Sequence, residues 1–237
     1  MPSLAVLIPM RDRIPSKAFT PLVSAIMNAE KFWQRTHGDG QGFNLFTKPD
    51  AQAAEARHDL WRHSEAAGAD WLLWFDDDTA PPPDALERLW PGTAMAPIVT
   101  GFYWRKGPPF ISTVGRQVKG ATVGAENGIQ WIDPDDMVMP YEYVDFMGAG
   151  CLLMQKKVVD HVALAFGNNP FFTRPGLTED VYFTNSAASL GYKMVAARDC
   201  QCLHVGDYAF GYEDRKRAVA ANPELKKLIV PCTKDGV

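Results

Sequence analysis

Short unbroken apolar runs alternate with helix-period stretches along most of this chain. The densest run is Trp71-Leu72-Leu73-Trp74-Phe75, and Asp76-Asp77-Asp78 follows it at once. A continuous apolar run of that length fits a strand buried on both faces, as in a parallel sheet. Leu4-Ala5-Val6-Leu7-Ile8 reads the same way and stops at Pro9. Helix spacing follows over 18–33, where Phe19, Leu22, Val23, Ile26 and Met27 share a face. A turn at 38–42 leads to a strand over 43–47. The next helix, over 51–67, puts Arg57, Leu60, Trp61 and Ser64 on one side and ends at Gly68.

Beyond the acidic run, Pro81-Pro82-Pro83 closes a turn and a short helix is expected over 84–90, with Leu86, Leu89 and Trp90 inward. A strand over 96–104 is broken by Arg105-Lys106-Gly107-Pro108-Pro109. Residues 110–140 read as an irregular antiparallel insert. Strand-like residues then flank Gly148-Ala149-Gly150, and Cys151-Leu152-Leu153-Met154 runs on into a helix over 155–166 with Val158, Val162 and Ala165 on one face. A loop carries Phe171, Phe172, Arg174 and Pro175. Thr178 is the expected N-cap of another helix, which Gly191 ends. Extended stretches follow at 192–196 and 199–204, then a charged, partly helical tail from 212 to 227 that reads as a solvated helix. Strands alternating with helices define an α/β fold, here a Rossmann-like, mixed, mostly parallel sheet flanked by helices. A soft boundary near residue 107 divides one compact domain into two abutting halves. Residues 1–107 make the first half and 108–237 the second, the first expected to bind a nucleotide and the second to bind an acceptor and carry the catalytic residues.

Composition narrows the picture. The chain has 237 residues, 46% of them hydrophobic, enough for one large core. A net charge of −4 argues against a whole-surface nucleic-acid footprint. The apolar runs are too short to span a membrane. Residues 1–10 lack a basic leader and Arg11-Asp12-Arg13 interrupts them, so no signal peptide is expected. The 4 cysteines do not form a disulfide framework by spacing, and a reduced, cytoplasmic setting is the expectation.

Three carboxylates cannot sit inside a buried sheet, so they belong at the strand's C-terminal edge, where open α/β sheets bind ligands. Asp76 and Asp78, on either side of Asp77, point the same way in an extended chain. Paired oxygens there suit a hard divalent cation that also holds a substrate phosphate; the plain alternative is an acidic turn. Arg11 and Arg13 at the end of the first strand can meet a diphosphate or a base, or simply face water. Arg57 faces a ligand or lays its stem on the core. Gly148 and Gly150 mark a bulge or a close approach to a ligand. Glu179 and Asp180 in a first helical turn are ordinary dipole partners on local grounds. Cys200, Cys202 and His204 share one side of a strand but lack the fourth ligand and wider spacing of a zinc site.

The order of these features resembles the glycosyltransferase A fold, and within it the family-two-like nucleotide-sugar transferases. The resemblance runs through Pro9, Arg11, Arg57, Asp76-Asp77-Asp78, Gly148-Ala149-Gly150-Cys151, Thr178-Glu179-Asp180, Gly191-Tyr192-Lys193 and His204-Val205-Gly206. It implies a nucleotide-diphosphate sugar donor, UDP-linked, bound through Pro9, Arg11, Arg57, Asp76, Asp77, Gly148 and Gly150. It also implies Mn2+ or Mg2+ on Asp78 and His204, with Asp76 on the metal or the ribose. Asp180 becomes the base of an inverting transfer, with Glu179 its nearest rival. The acceptor is left open: a glycan, a small molecule, a protein or a modified nucleobase. A retaining transferase of the same fold, a sugar-phosphate nucleotidyltransferase and a non-catalytic sugar-binding domain are the alternatives. The nucleotidyltransferase calls for a glycine-rich basic loop after the first strand, and Pro9-Met10-Arg11-Asp12-Arg13 has no glycine.

Overall fold

The apolar runs pair side by side at the centre of the molecule. β1 (Leu4–Pro9) lies parallel to both β2 (Phe43–Lys48) and β3 (Trp71–Phe75). This computed structural model describes residues 2–40, 42–118, 128–173 and 177–227. The helices α1 (Ser16–His37) and α2 (Ala53–Ala66) supply the crossovers between these strands. β4 (Thr79–Ala80), α3 (Ala85–Leu89), β5 (Ile98–Phe102), β6 (Val114–Gln117), β7 (Ile129–Trp131), β8 (Tyr141–Val144), β9 (Phe146–Met147) and β10 (Cys151–Gln155) follow. The chain continues through α4 (Lys156–Ala165), α5 (Glu179–Ser189), β11 (Met194–Gln201), β12 (Leu203–Val205), β13 (Ala209–Phe210) and α6 (Tyr212–Ala221).

The main sheet has 7 strands in the order β2-β1-β3-β10-β5-β11-β8. β2, β1, β3, β5 and β11 run one way; β10 and β8 run the other. β10 thus inserts a strand from late in the chain between β3 and β5. Alternate residues of the central strands feed two apolar layers. Leu7, Leu72, Trp74 and Leu152 pack toward α2, α4 and α5. Val6, Leu73, Phe75 and Leu153 pack toward α1 and α3. Burial on both faces is why these strands carry no polar alternation. Two three-stranded sheets, β13-β12-β4 and β7-β6-β9, build the rim beside the strand ends.

Several details depart from the sequence reading. α1 buries Ala18, Leu22, Ala25, Ala29 and Trp33, while Phe19, Val23 and Met27 are exposed. Small alanines let the helix sit close to the sheet, with Trp33 filling the gap against Trp90 at 5.3 Å between ring centres. In α4 the inward residues are Val158, Val159, Val162 and Ala163; Ala165 is exposed. Phe171 is a core residue, stacked on Phe183 and edge-on to Trp74, and Phe172 alone of the pair is exposed. Arg174 and Pro175 lie outside the described residues. α6 is not fully solvated, because Arg215 is buried. Its Nε donates to Asp133 at 2.9 Å, and its other nitrogens donate to the carbonyls of Pro109 and Leu225.

Removing one partner of a buried ion pair strands the other charge. Arg215→Met is therefore expected to lower folding stability by about 3 kcal/mol. A urea titration checks this, and an unchanged midpoint would show that Asp133 is solvated without its partner.

Candidate functional site

The strand ends gather the site at one edge of the sheet. β1 delivers Pro9 and Arg11, β3 delivers Asp76-Asp77-Asp78, and β5 delivers Tyr103 and Lys106. β10 runs the opposite way, so its preceding Gly148-Ala149-Gly150 segment reaches the same edge. The start of α5 and β12 add Glu179 and His204. A cavity of 210 Å³ is lined by Pro9, Arg11, Asp76, Asp77, Asp78, Tyr103, Glu179 and His204, together with residues of the β1 and α2 ends. A wider cleft beside it is lined by Arg11, Arg13, Asp77, Asp78, Lys106 and Gly206 among others.

The acidic run is a turn rather than an extended segment, since the Thr79 amide donates to the Asp76 carbonyl at 3.0 Å. The three carboxylates consequently part ways. Asp76 turns inward to Arg57, whose Nη2 donates to it at 2.6 Å. Asp77 accepts the Arg11 backbone N–H at 3.0 Å and so ties β3 to the end of β1. Asp78 faces the cavity, with Lys106 Nζ at 2.6 Å from one oxygen and His204 Nε2 at 3.4 Å from the other. The run is thus not the extended segment expected, although Asp76 and Asp78 both line the cavity. Turn geometry overrides the two-residue alternation of a strand.

Arg57 is 2% exposed and does not line the cavity. Its Nη2 holds Asp76, its Nε reaches Glu179 at 3.4 Å, and its guanidinium lies 5.5 Å from the Trp74 ring centre. Burial disfavours its charge, but Asp76 and then Glu179 outweigh that and raise its pKa further. Arg57 positions two acids, Asp76 and Glu179, that line the cavity. The glycines serve packing in this structure. A Cβ at Gly148 would lie 2.1 Å from the Tyr103 hydroxyl, and one at Gly150 2.8 Å from Thr79 Oγ1 and 2.9 Å from the Tyr103 ring. These glycines admit the Tyr103 side chain, not an open ligand space. Tyr103 in turn accepts the Gly150 N–H and meets the His204 ring edge-on at 5.3 Å.

His204 has the donor arrangement of a metal ligand. Its Nδ1 lies 2.8 Å from the Trp104 carbonyl, which only accepts, so the ring proton sits on Nδ1. Nε2 faces Asp78 at 3.4 Å: as an imidazolium the ring donates to that carboxylate, and as a neutral ring it turns a lone pair to the same place, where it and the carboxylate could share a cation. Burial alone would raise the Asp78 pKa, yet the contacts from His204 and then Lys106 prevail and hold it at about 2. Asp76 is raised, first by burial, against the pull of Arg57.

At the start of α5, Glu179 and Asp180 diverge. Glu179 lines the cavity. Asp180 accepts the Thr178 hydroxyl and the Val181 N–H and borders an apolar space with Trp74, Phe171 and Phe183. Burial first, and then the Glu179 charge, raise its pKa. Thr178 holds the N-cap position without capping the helix backbone; its hydroxyl is spent on Asp180. Tyr103 and Lys106 went unread in the sequence. An aromatic at a strand end carries no special signal, and Lys106 showed only as part of a strand-breaking loop.

No protein-family model matches this chain, and no curated protein matches it by sequence. Among solved structures, the crystal structure of A197 from STIV aligns with 100% of this chain and 97% of that one, with a TM-score of 0.53 and 17% identity. A crystal structure of GalNAc-T7 with UDP, GalNAc and Mn2+ aligns with 93% of this chain, with a TM-score of 0.49 and 10% identity. This chain spans 48% of that protein's length. The sheet that aligns is mixed and mostly parallel, with 7 strands flanked by helices. Among the described residues, no helix is long and apolar enough to cross a membrane.

The Asp78 shift has a definite sign. A carboxyl held at about 2 instead of 3.8 stabilises the fold above pH 3.8, and that stabilisation is lost as pH falls toward 2. With allowance for partial exposure, the amount is on the order of 1–2 kcal/mol. Urea unfolding of the protein and of Asp78→Asn is expected to differ by that amount at pH 7 and to converge near pH 2. A gap that stays constant with pH would contradict the assignment.

Proposed function

We propose that this protein is a metal-dependent, family-two-like glycosyltransferase that moves a sugar from a UDP-sugar to an acceptor hydroxyl with inversion. The observation that carries the reading is the His204–Asp78 pair, with imidazole Nε2 facing a carboxylate on the C-terminal edge of a GT-A-like sheet. Asp78 and His204 would hold Mn2+ or Mg2+. Bound there, such an ion supplies positive charge for the leaving diphosphate.

The chain's own residues divide the remaining work. Asp77 fixes the Arg11 backbone, and Arg11 and Arg13 present positive charge to the wider cleft beside Asp78. Asp76 is held by Arg57 and stands ready to accept from a ribose hydroxyl. Asp180 takes the acceptor proton. Its raised pKa is the direction a base near neutrality requires, and the burial that raises it also keeps water from competing. Glu179 faces the cavity directly, and its tie to Arg57 assigns it to orienting the acceptor.

UDP affinity measured by calorimetry is expected to need Mn2+ and to vanish in EDTA; equal affinity in both would remove the metal. His204→Ala should weaken Mn2+ binding by about tenfold or more. For the base, Asp180→Asn should retain donor binding and lose roughly 10²- to 10⁴-fold in turnover. Glu179→Gln should mainly raise the acceptor KM. If Asp180→Asn transfers normally while Glu179→Gln does not, the base is Glu179. A product that keeps the donor's anomeric configuration would rule out inversion.

A further inference from the structure

Three cysteines meet inside the core, on strands that run beneath the acidic edge. Cys151 opens β10, Cys200 lies near the end of β11, and Cys202 follows it. β5 runs between β10 and β11. Cys151 and Cys200 therefore stand on opposite flanks of β5, and their side chains meet over Gly101. A Cβ at Gly101 would lie 2.9 Å from Cys200 Sγ and 3.0 Å from Cys151 Sγ, so a side chain there would displace the sulfurs. Those two sulfurs are 3.8 Å apart, and the sulfurs of all three cysteines lie within 4.8 Å of one another. None of the three is more than 1% exposed.

Buried thiols are often simple packing groups. The distinguishing feature here is convergence of three donor atoms within 4.8 Å of one another, with Cys151 and Cys200 already at coordination spacing. Metal–sulfur bonds of about 2.3 Å set the sulfurs of a trigonal or tetrahedral site about 3.8–4.0 Å apart. Thiolate sets select soft ions. Zinc calls for a fourth ligand, and among the described residues no histidine or carboxylate joins the trio. His204, which shares their strand face by sequence, is committed to Trp104 and Asp78 instead. The full burial of the sulfurs also leaves no open side for water. A soft ion of low coordination number remains.

Charge decides how such an ion would be held. Three thiolates around a monovalent ion leave two uncompensated charges in the core, at high cost. Arg88 lies close by, its Nη1 donating to the carbonyl of Asp199, the residue before Cys200, at 2.6 Å, but its Nε is paired with Asp84 at 2.7 Å, so its charge is already matched. Two thiolates and one retained thiol keep the charge left on the site to one. We infer that Cys151, Cys200 and Cys202 form a buried binding site for a monovalent soft metal ion of the Cu(I) class. Binding converts two thiols to thiolates and releases two protons. Because the sulfurs are enclosed, the ion enters while the chain folds.

The test uses the full chain with Cys232→Ser, which removes the fourth cysteine from the readout. The protein is refolded without oxygen in Cu(I) buffered by bicinchoninate. One copper per chain is expected, with X-ray absorption showing sulfur neighbours only, at about 2.2–2.3 Å. Cys151→Ala and Cys200→Ala should each lose the bound copper while folding normally without metal, as circular dichroism and thermal melting report. Should one of them fail to fold, Cys202→Ala serves in its place. No bound copper, nitrogen or oxygen neighbours, or full binding by a folded alanine variant would each overturn the site. Neither nucleotide sugar nor Mn2+ enters the experiment, so its outcome is independent of the proposed transferase activity.

Discussion

A guanidinium buried beneath the strand ends organises this molecule. Arg57 is out of water, and a buried charge persists only when paired. Its partners come from two distant places: Asp76 at the end of β3 and Glu179 at the start of α5. One side chain of α2 therefore fixes where the acidic turn begins and where the helix carrying the second acidic pair is anchored. Trp74 lies against the guanidinium, within cation–π range. Nη1 has no hydrogen-bond partner among the described residues. Such an incompletely satisfied group is unfavourable in a purely structural role, and functional sites are where that kind of cost is retained.

The central strands were legible because nothing competes with their pattern. A strand covered on both faces has to be apolar throughout, and Leu4–Pro9 and Trp71–Phe75 obey that. The α2 face was also legible, since Arg57, Leu60, Trp61 and Ser64 are all buried as the spacing implied. α1 was misread for a physical reason. Large apolar residues were taken to mark the inward face, but close packing on the sheet selected alanines, leaving Phe19 and Met27 outside. Helical periodicity identifies the element; which stripe turns inward depends on the space the neighbours leave.

The site residues were legible as a set and not as an arrangement. Pro9, Arg11, Asp76, Asp77, Asp78, Glu179 and His204 do line one cavity. What the sequence could not carry was direction. A turn after Phe75 sends Asp76 inward and Asp78 outward, and one step along α5 separates Glu179 from Asp180. Gly148 and Gly150 are places of close approach, and the group that approaches is Tyr103, just past β5, brought there by strand order. Long-range pairing of that kind leaves no local trace.

The reversed strand β10 links these observations. Inserting it between β3 and β5 places its entry segment, not its exit, at the ligand edge. That entry has to pass beneath Tyr103, so glycines are required there. Tyr103 then bears on His204, whose other ring nitrogen the Trp104 carbonyl fixes. Residues 103 and 104 thus act on the same imidazole, one against the ring and one on its proton. The ring nitrogen that faces Asp78 is therefore oriented by the end of β5, while Asp78 itself is oriented by the turn after β3. β12 pairs with β4 so that His204 stands opposite Thr79, and the Val205 N–H donates to the Asp78 carbonyl at 2.6 Å, so the separation between imidazole and carboxylate is set by backbone pairing. Rigid backbone spacing of this kind keeps two donors at a fixed distance without a loop having to close over them.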